Sequence, residues 1–109
     1  MAEEEYNGWS NRETWAVNLH LSNNEGDYSY MLELANDALD MYEETEAQVG
    51  HLAYAIETHC DDIVYSVTHP EDGAATDEAR MFVADVGSLW RVDFYDIAER
   101  WLQDAREGR

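Results

Sequence analysis

Lysine is absent from this chain, cysteine and proline occur once each, and no apolar run approaches the ~20 residues that a membrane span needs. Each absence excludes something. With Cys60 as the sole cysteine, no intrachain disulfide can form, which suits a reducing compartment. With Pro70 as the sole proline, little in the chain forces a helix to stop. The stretch Met1-Ala2-Glu3-Glu4-Glu5 is acidic and has no apolar segment, so it does not read as a signal peptide. The expectation is a soluble, cytoplasmic protein. The scarcity of cations matters most: six arginines stand against 25 carboxylates, for a formal charge of −19. A surface of that sign repels DNA and RNA backbones and attracts basic protein grooves.

What is present is enough for a core. The 109 residues fit one acidic domain spanning residues 1–109, and 45% of them are hydrophobic, with four Trp, seven Tyr and two Phe. Disordered acidic tails lack such aromatics, so the charge decorates a folded body. Beyond the short Glu3–Glu5 run there is no low-complexity segment, and no internal repeat is visible.

The pattern predicts an all-α, compact bundle of about five helices joined by short turns. Ser10-Asn11-Arg12-Glu13 reads as a capping box with Ser10 as N-cap, opening a helix from about Asn11 to Leu21. Trp15, Val17, Leu19 and Leu21 also alternate as a strand would, and the cap decides for helix. After the Asn23-Asn24-Glu25-Gly26 turn, Asp27 is the expected N-cap of a helix from Tyr28 to about Glu44, with Met31, Leu34, Ala35, Ala38 and Tyr42 on one face. Thr45 and Gln48 form a second box, opening a helix to about Val67 whose stripe is Val49, Leu52, Ala53, Ile56, Cys60, Ile63 and Val67. His69 to Gly73 stops it. A helix after Thr76 would carry Met81, Phe82, Val86, Leu89 and Trp90, with Gly87 as its weak point. Asp93 caps the last helix, with Asp96 third and Val92 stapled on Ile97. That helix would bury Phe94, Ile97, Ala98, Trp101 and Ala105, and expose an Asp96, Arg100, Asp104 ladder.

Laid on these helices, part of the charge forms a row. Glu33, Asp37, Asp40 and Glu44 recur at helical spacing opposite the apolar face. Glu43 and Glu46 widen the row, and Glu57, Asp61 and Asp62 could extend it across the bundle. Like charges at that spacing weaken a helix, so the row is not there to strengthen it. Two readings stand side by side. In one, the row mimics phosphates and plugs the groove of a basic nucleic-acid-binding protein or host defence complex. In the other, acidity without lysine serves solubility in high salt, as in a small helical interaction or regulatory protein of a halophile. An arginine-favouring codon bias would also remove lysine.

The segment from Tyr6 to Trp15 sets Trp9 and Trp15 around an Asn-Gly turn and a helix cap. These tryptophans could anchor a partner, or pin the start of the chain onto the core. His20, His51, His59 and His69 lack metal-ligand spacing, and Cys60 lies within an apolar stripe as a core thiol would. No phosphate loop, dinucleotide fingerprint, nucleophile elbow or EF-hand pattern occurs. The expectation is no enzyme, no cofactor and no metal. Self-association as a homodimer stays open.

One likeness is more specific than these patterns. Asn7-Gly8-Trp9-Ser10-Asn11-Arg12-Glu13-Thr14-Trp15-Ala16-Val17, followed by Leu19, Leu21 and the Asn24-Glu25-Gly26 turn, resembles the N-terminal signature of a family of unknown function. Its members are small proteins of phages, archaeal viruses and plasmids. The stretch from Val92 to Leu102 is similar to the other end of that family. The resemblance implies a helical fold and a mobile-element setting, with no catalytic residues to carry over. By analogy of setting, it points towards anti-defence inhibitors of the anti-CRISPR or antirestriction kind.

Overall fold

The computed structural model describes residues 5–109, so Met1 to Glu4, with most of the early glutamate run, lie outside the described residues. Within them the chain forms five α-helices: α1 (Arg12–Asn23), α2 (Glu25–Met41), α3 (Thr45–Thr68), α4 (Asp77–Val86) and α5 (Phe94–Glu107). The all-α bundle inferred from periodicity is what the chain builds. The strand alternative for Trp15 to Leu21 is excluded: these residues lie in α1, which buries Ala16, Val17 and Leu21 and leaves Leu19 exposed.

α2 and α3 form an antiparallel hairpin, closed at one end by Tyr42 against His51 and at the other by Asp27 against His59. α5 lies across this hairpin, running parallel to α2, since Tyr28 meets Trp101 and Asn36 meets Arg109 in step. α1 and α4 pack together at the far side, where His20 contacts Phe82. The body measures 42 × 36 × 20 Å, and its thin dimension is two helix diameters of about 10 Å. Alanines at 35, 38, 53, 98 and 105 are buried where the three longest helices meet, which lets their backbones approach. Among the described residues no helix is long and apolar enough to cross a membrane.

Three helix starts differ from the local reading, each by the same cause. The N-cap of α1 is Asn11, whose side chain accepts from the Thr14 amide, because Ser10 is engaged by α5. The N-cap of α2 is Asn24, accepting from the Asp27 amide, while the Asp27 carboxylate faces His59. α3 starts after Glu44, which makes no side-chain cap, and Gln48 is buried instead of reaching back to Thr45. Its amide donates to the Tyr42 carbonyl at 2.7 Å and accepts from Arg106 at 2.8 Å. In every case a tertiary partner outcompetes the local bond.

Two helix ends also differ. α2 stops at Met41, and the extended backbone of Tyr42 turns the chain into α3. α4 stops at Val86, because Gly87 takes φ 77°, ψ −114°, a conformation that side-chain-bearing residues rarely adopt. Leu89–Arg91 forms a separate 3₁₀ turn, leaving Trp90 80% exposed and Met81 largely exposed. Thr76 and Asp93 cap α4 and α5 as their sequences suggest. α5 buries Phe94, Ile97, Ala98, Trp101 and Ala105 as expected, and Leu102 in addition.

Candidate functional site

The residues most specific to this sequence meet at one place. Asn7 and Gly8 both have positive φ, 51° and 86°, and Tyr6 and Trp9 exchange two backbone hydrogen bonds of 2.9 Å around them. That is the two-residue Asn-Gly hairpin turn in which both central residues need positive φ. It brings the Trp9 ring under Arg100 of α5, whose guanidinium lies 3.8 Å from the ring centroid and also donates to the Gly8 carbonyl. Trp15 packs at 4.9 Å against Tyr6.

The residues between these tryptophans bond to the start of α5. Asn11 Nδ2 donates to the Arg91 carbonyl at 2.7 Å, and its Oδ1 accepts from both the amide and the hydroxyl of Thr14. The same Thr14 hydroxyl accepts from the Asp93 amide at 2.9 Å. The Ser10 amide donates to Asp96, and its hydroxyl lies 2.9 Å from a carboxylate oxygen of each of Asp93 and Asp96. Glu13 pairs with Arg91 at 2.9 Å. Further along α1, Asn18 accepts from the buried indole of Trp101 at 2.8 Å. The N-terminal signature is therefore a clamp on the other end of the chain. Trp9 and Trp15 are half-buried and pack against the core.

The carboxylate row is divided by the fold. Glu33, Asp37 and Asp40 lie exposed on α2 and cover about 10 Å at about 1.5 Å per residue. Glu44 lies beyond the helix end, in extended backbone. Asp40 is paired with Arg109 at 2.9 Å, so Glu33 and Asp37 are the members on α2 without a cation among the described residues. Glu57 and Asp61 are exposed on α3, on the flank towards the start of α5, where Glu57 shares a cavity with Tyr95. The flank towards α2 is marked by His51 and His59. Glu57 and Asp61 therefore do not continue the α2 row.

Each of the six arginines is hydrogen-bonded or ion-paired within the fold. Arg12 donates to the Asp85 carbonyl, Arg80 to Asp77, Arg100 to Asp96 and Gly8, Arg106 to Gln48, and Arg109 to Asn36, while Arg91 pairs with Glu13. The expected Asp96–Arg100 pair forms at 3.1 Å, and Asp104 makes no pair with that arginine. Glu33, Asp37, Glu46, Glu57, Asp61 and Glu99 are among the exposed carboxylates joined to no cation among the described residues. Sequence reading could not find this asymmetry, because it depends on contacts between residues far apart in the chain.

Among the described residues no group of three or more His, Cys, Asp or Glu is placed to hold a metal ion. Cys60 is fully buried, and burial pushes its thiol pKa up, with the carboxylates of Asp61, Asp27 and Glu57 adding to the shift. Such a thiol is protonated and inaccessible, the opposite of a nucleophile. A cavity of about 590 Å³ forms an open depression by the α1–α2 turn, lined in part by His20, Asp27 and Glu78. The His20 ring there is engaged by Asp85 at 2.9 Å, and Asp27 by His59 at 3.0 Å.

No curated protein and no solved structure matches the chain significantly. A family model does match, over residues 2–99, a span that takes in both the clamp motif and the start of α5 that it grips. The chain belongs to that family, a family of unknown function (DUF7249).

Proposed function

We propose that the chain is a non-catalytic acidic binder that occupies the nucleic-acid-binding groove of a basic partner, in the manner of a DNA mimic. One observation carries this reading: every arginine, though exposed, is engaged by a hydrogen bond or ion pair within the fold, while outward carboxylates such as Glu33 and Asp37 meet no cation among the described residues. A surface so divided attracts a basic groove without offering a cation to nucleic acid. In its finer form the partner is a host defence complex, and the protein is a mobile-element inhibitor of the anti-CRISPR or antirestriction kind acting in the host cytoplasm. That form draws on the resemblance of setting.

The test is displacement. Cell lysate is loaded on DNA-cellulose and eluted at fixed ionic strength with the chain, with polyglutamate of equal total charge as the control. The reading expects the chain to release specific DNA-binding proteins that polyglutamate leaves bound. Replacing Glu33 and Asp37 together by lysine should abolish release, with the circular dichroism of the helices unchanged. Asp40 is left intact because it holds Arg109. Release that is absent with the parent chain, or that the variant or polyglutamate reproduces, overturns the reading.

The solubility reading has an observation of its own. Unpartnered carboxylates also stand on α3 and α5, at Glu46, Asp61 and Glu99, and are not confined to one face. It expects the fold to melt when salt is lowered to ordinary concentrations.

A further inference from the structure

We propose that the seam between α3 and the start of α5 is a docking groove for an arginine-bearing peptide segment of a partner protein. The inference rests on the basic-partner reading above only for the class of partner, and it places the contact away from the α2 row.

The seam holds two shallow cavities of about 370 and 520 Å³ that share Tyr95. The first runs from Gly50 and Tyr54 to Glu57 and Phe94, and the second is bordered by Glu46, Val49 and Glu99. Gly50 lines the seam beside Tyr95, and a Cβ there would stand 3.9 Å from the Tyr95 hydroxyl, an ordinary contact. Tyr54 is 69% and Tyr95 59% exposed, and neither makes a ring contact or a side-chain hydrogen bond among the described residues. Other exposed tyrosines are occupied: Tyr28 by Trp101, Tyr30 by His59, Tyr42 by His51 and Tyr65 by His69. Two unpartnered phenols border one groove, and Glu46, Glu57 and Glu99 border it without cations.

That combination selects a guanidinium. Its planar face stacks on an aromatic ring while its edge donates two parallel hydrogen bonds to a carboxylate, and an ammonium does neither as well. The fold already uses this chemistry where Arg100 lies on Trp9 and pairs with Asp96. From Glu46 to Glu57 the groove runs about 16 Å along α3 at about 1.5 Å per residue. An extended segment of about five residues covers that length at about 3.3 Å each. A second copy of this chain is a poor occupant, because its arginines are all engaged and two surfaces of charge −19 repel. Phosphate backbones are repelled for the same reason.

The experiment uses end-blocked hexapeptides of alternating arginine and glycine, and of alternating lysine and glycine, titrated calorimetrically into the full chain at about 0.15 M salt. The arginine peptide should bind at least about fivefold more tightly than the lysine peptide. Tyr54→Ala with Tyr95→Ala leaves the charge unchanged and should erase that preference, whereas Tyr54→Phe with Tyr95→Phe should keep it. Glu46→Gln with Glu57→Gln should weaken binding about tenfold. The charge-matched pair Glu71→Gln with Glu78→Gln should change it less than about twofold. Equal binding of both peptides, or no loss in the alanine pair, overturns the proposal. A greater loss from Glu33→Gln with Asp37→Gln overturns the seam and leaves the basic-partner reading intact. Concentration-dependent sedimentation abolished by the alanine pair would overturn it in favour of a second copy. Arginine-selective binding at the seam with no displacement from DNA-cellulose would uphold the seam and overturn the mimic.

Discussion

Thr14→Val tests the clamp more cleanly than any other substitution. Valine matches threonine in shape, so the fully buried site stays filled and only the hydroxyl is lost. That hydroxyl donates to Asn11 Oδ1 at 2.8 Å and accepts from the Asp93 amide at 2.9 Å. Asn11 retains the Thr14 amide as donor, so the first loss is one ordinary hydrogen bond, about 0.5–1.5 kcal/mol. The Asp93 amide is left without its partner at a partly buried position, a cost of about 1–3 kcal/mol. Together these give about 1.5–4.5 kcal/mol, a large share of the ~5–15 kcal/mol that domains possess. At about 4 °C per kcal/mol the midpoint should fall by about 6–18 °C. Urea unfolding followed by circular dichroism should show a lower midpoint with an unchanged slope. The Asp93 amide should also lose protection in hydrogen exchange. Thr14→Ser keeps the hydroxyl and loses a methyl, and should cost only about 1 kcal/mol. The reasoning is refuted if Thr14→Val lies within about 0.5 kcal/mol of the parent, or if Thr14→Ser is the worse of the two.

Other perturbations probe separate parts of the fold. Gly87→Ala should destabilise by about 1–3 kcal/mol in thermal melts, although a Cβ there meets nothing within 4 Å, because the cost lies in the backbone conformation alone. Cys60 should resist thiol reagents in the native protein and react at once in urea, as read by thiol colorimetry. Burial favours its neutral form, so the folded pKa is raised. Its stabilisation is complete below the ordinary value of 9.0 and is lost by about 1.4 kcal/mol per pH unit above it, visible as a falling urea midpoint. Added salt should raise the melting temperature by screening the net charge, and the cost of Thr14→Val, made among uncharged groups, should be the same at low and high salt.

Much of the fold is legible in the sequence because its signals are local and unopposed. The α3 stripe from Val49 to Cys60 is buried as its spacing predicts, and the Asp93 cap forms as read. Asp93 keeps its cap while also meeting Ser10, because its two oxygens divide the tasks. Ser10, Asp27 and Gln48 each looked like a local capping residue, and each is taken by a group far along the chain: α5 carboxylates, His59 and Arg106. Local capping rules hold where no tertiary partner competes. The α2 row was legible for the same reason, since periodicity alone places Glu33 beside Asp37. Its fourth member was lost to the early end of the helix at Met41. The α3–α5 seam was illegible. Tyr54 and Tyr95 belong to different helices, and nothing in their separate surroundings shows that they border one groove.

Glu33 and Asp37 decide between the two causes of the acidity, because the fold does not need them. Carboxylates such as Glu13, Asp93 and Asp96 are consumed by the clamp, and changing them would confound stability with function. Glu33 and Asp37 stand four residues apart on an exposed face with no cation, so their repulsion weakens α2 by about 0.2–0.5 kcal/mol. Glu33→Gln with Asp37→Gln should therefore raise stability slightly at low salt, and the gain should vanish as salt is added. Chemical unfolding at several salt concentrations, run beside displacement from DNA-cellulose, gives two readouts from one variant. A variant that is more stable yet poorer in displacement shows that the charges are kept for a partner at a cost to the fold. If it is more stable and displaces as well as the parent, the row belongs to the solvent alone, and the partner-binding carboxylates must be sought elsewhere.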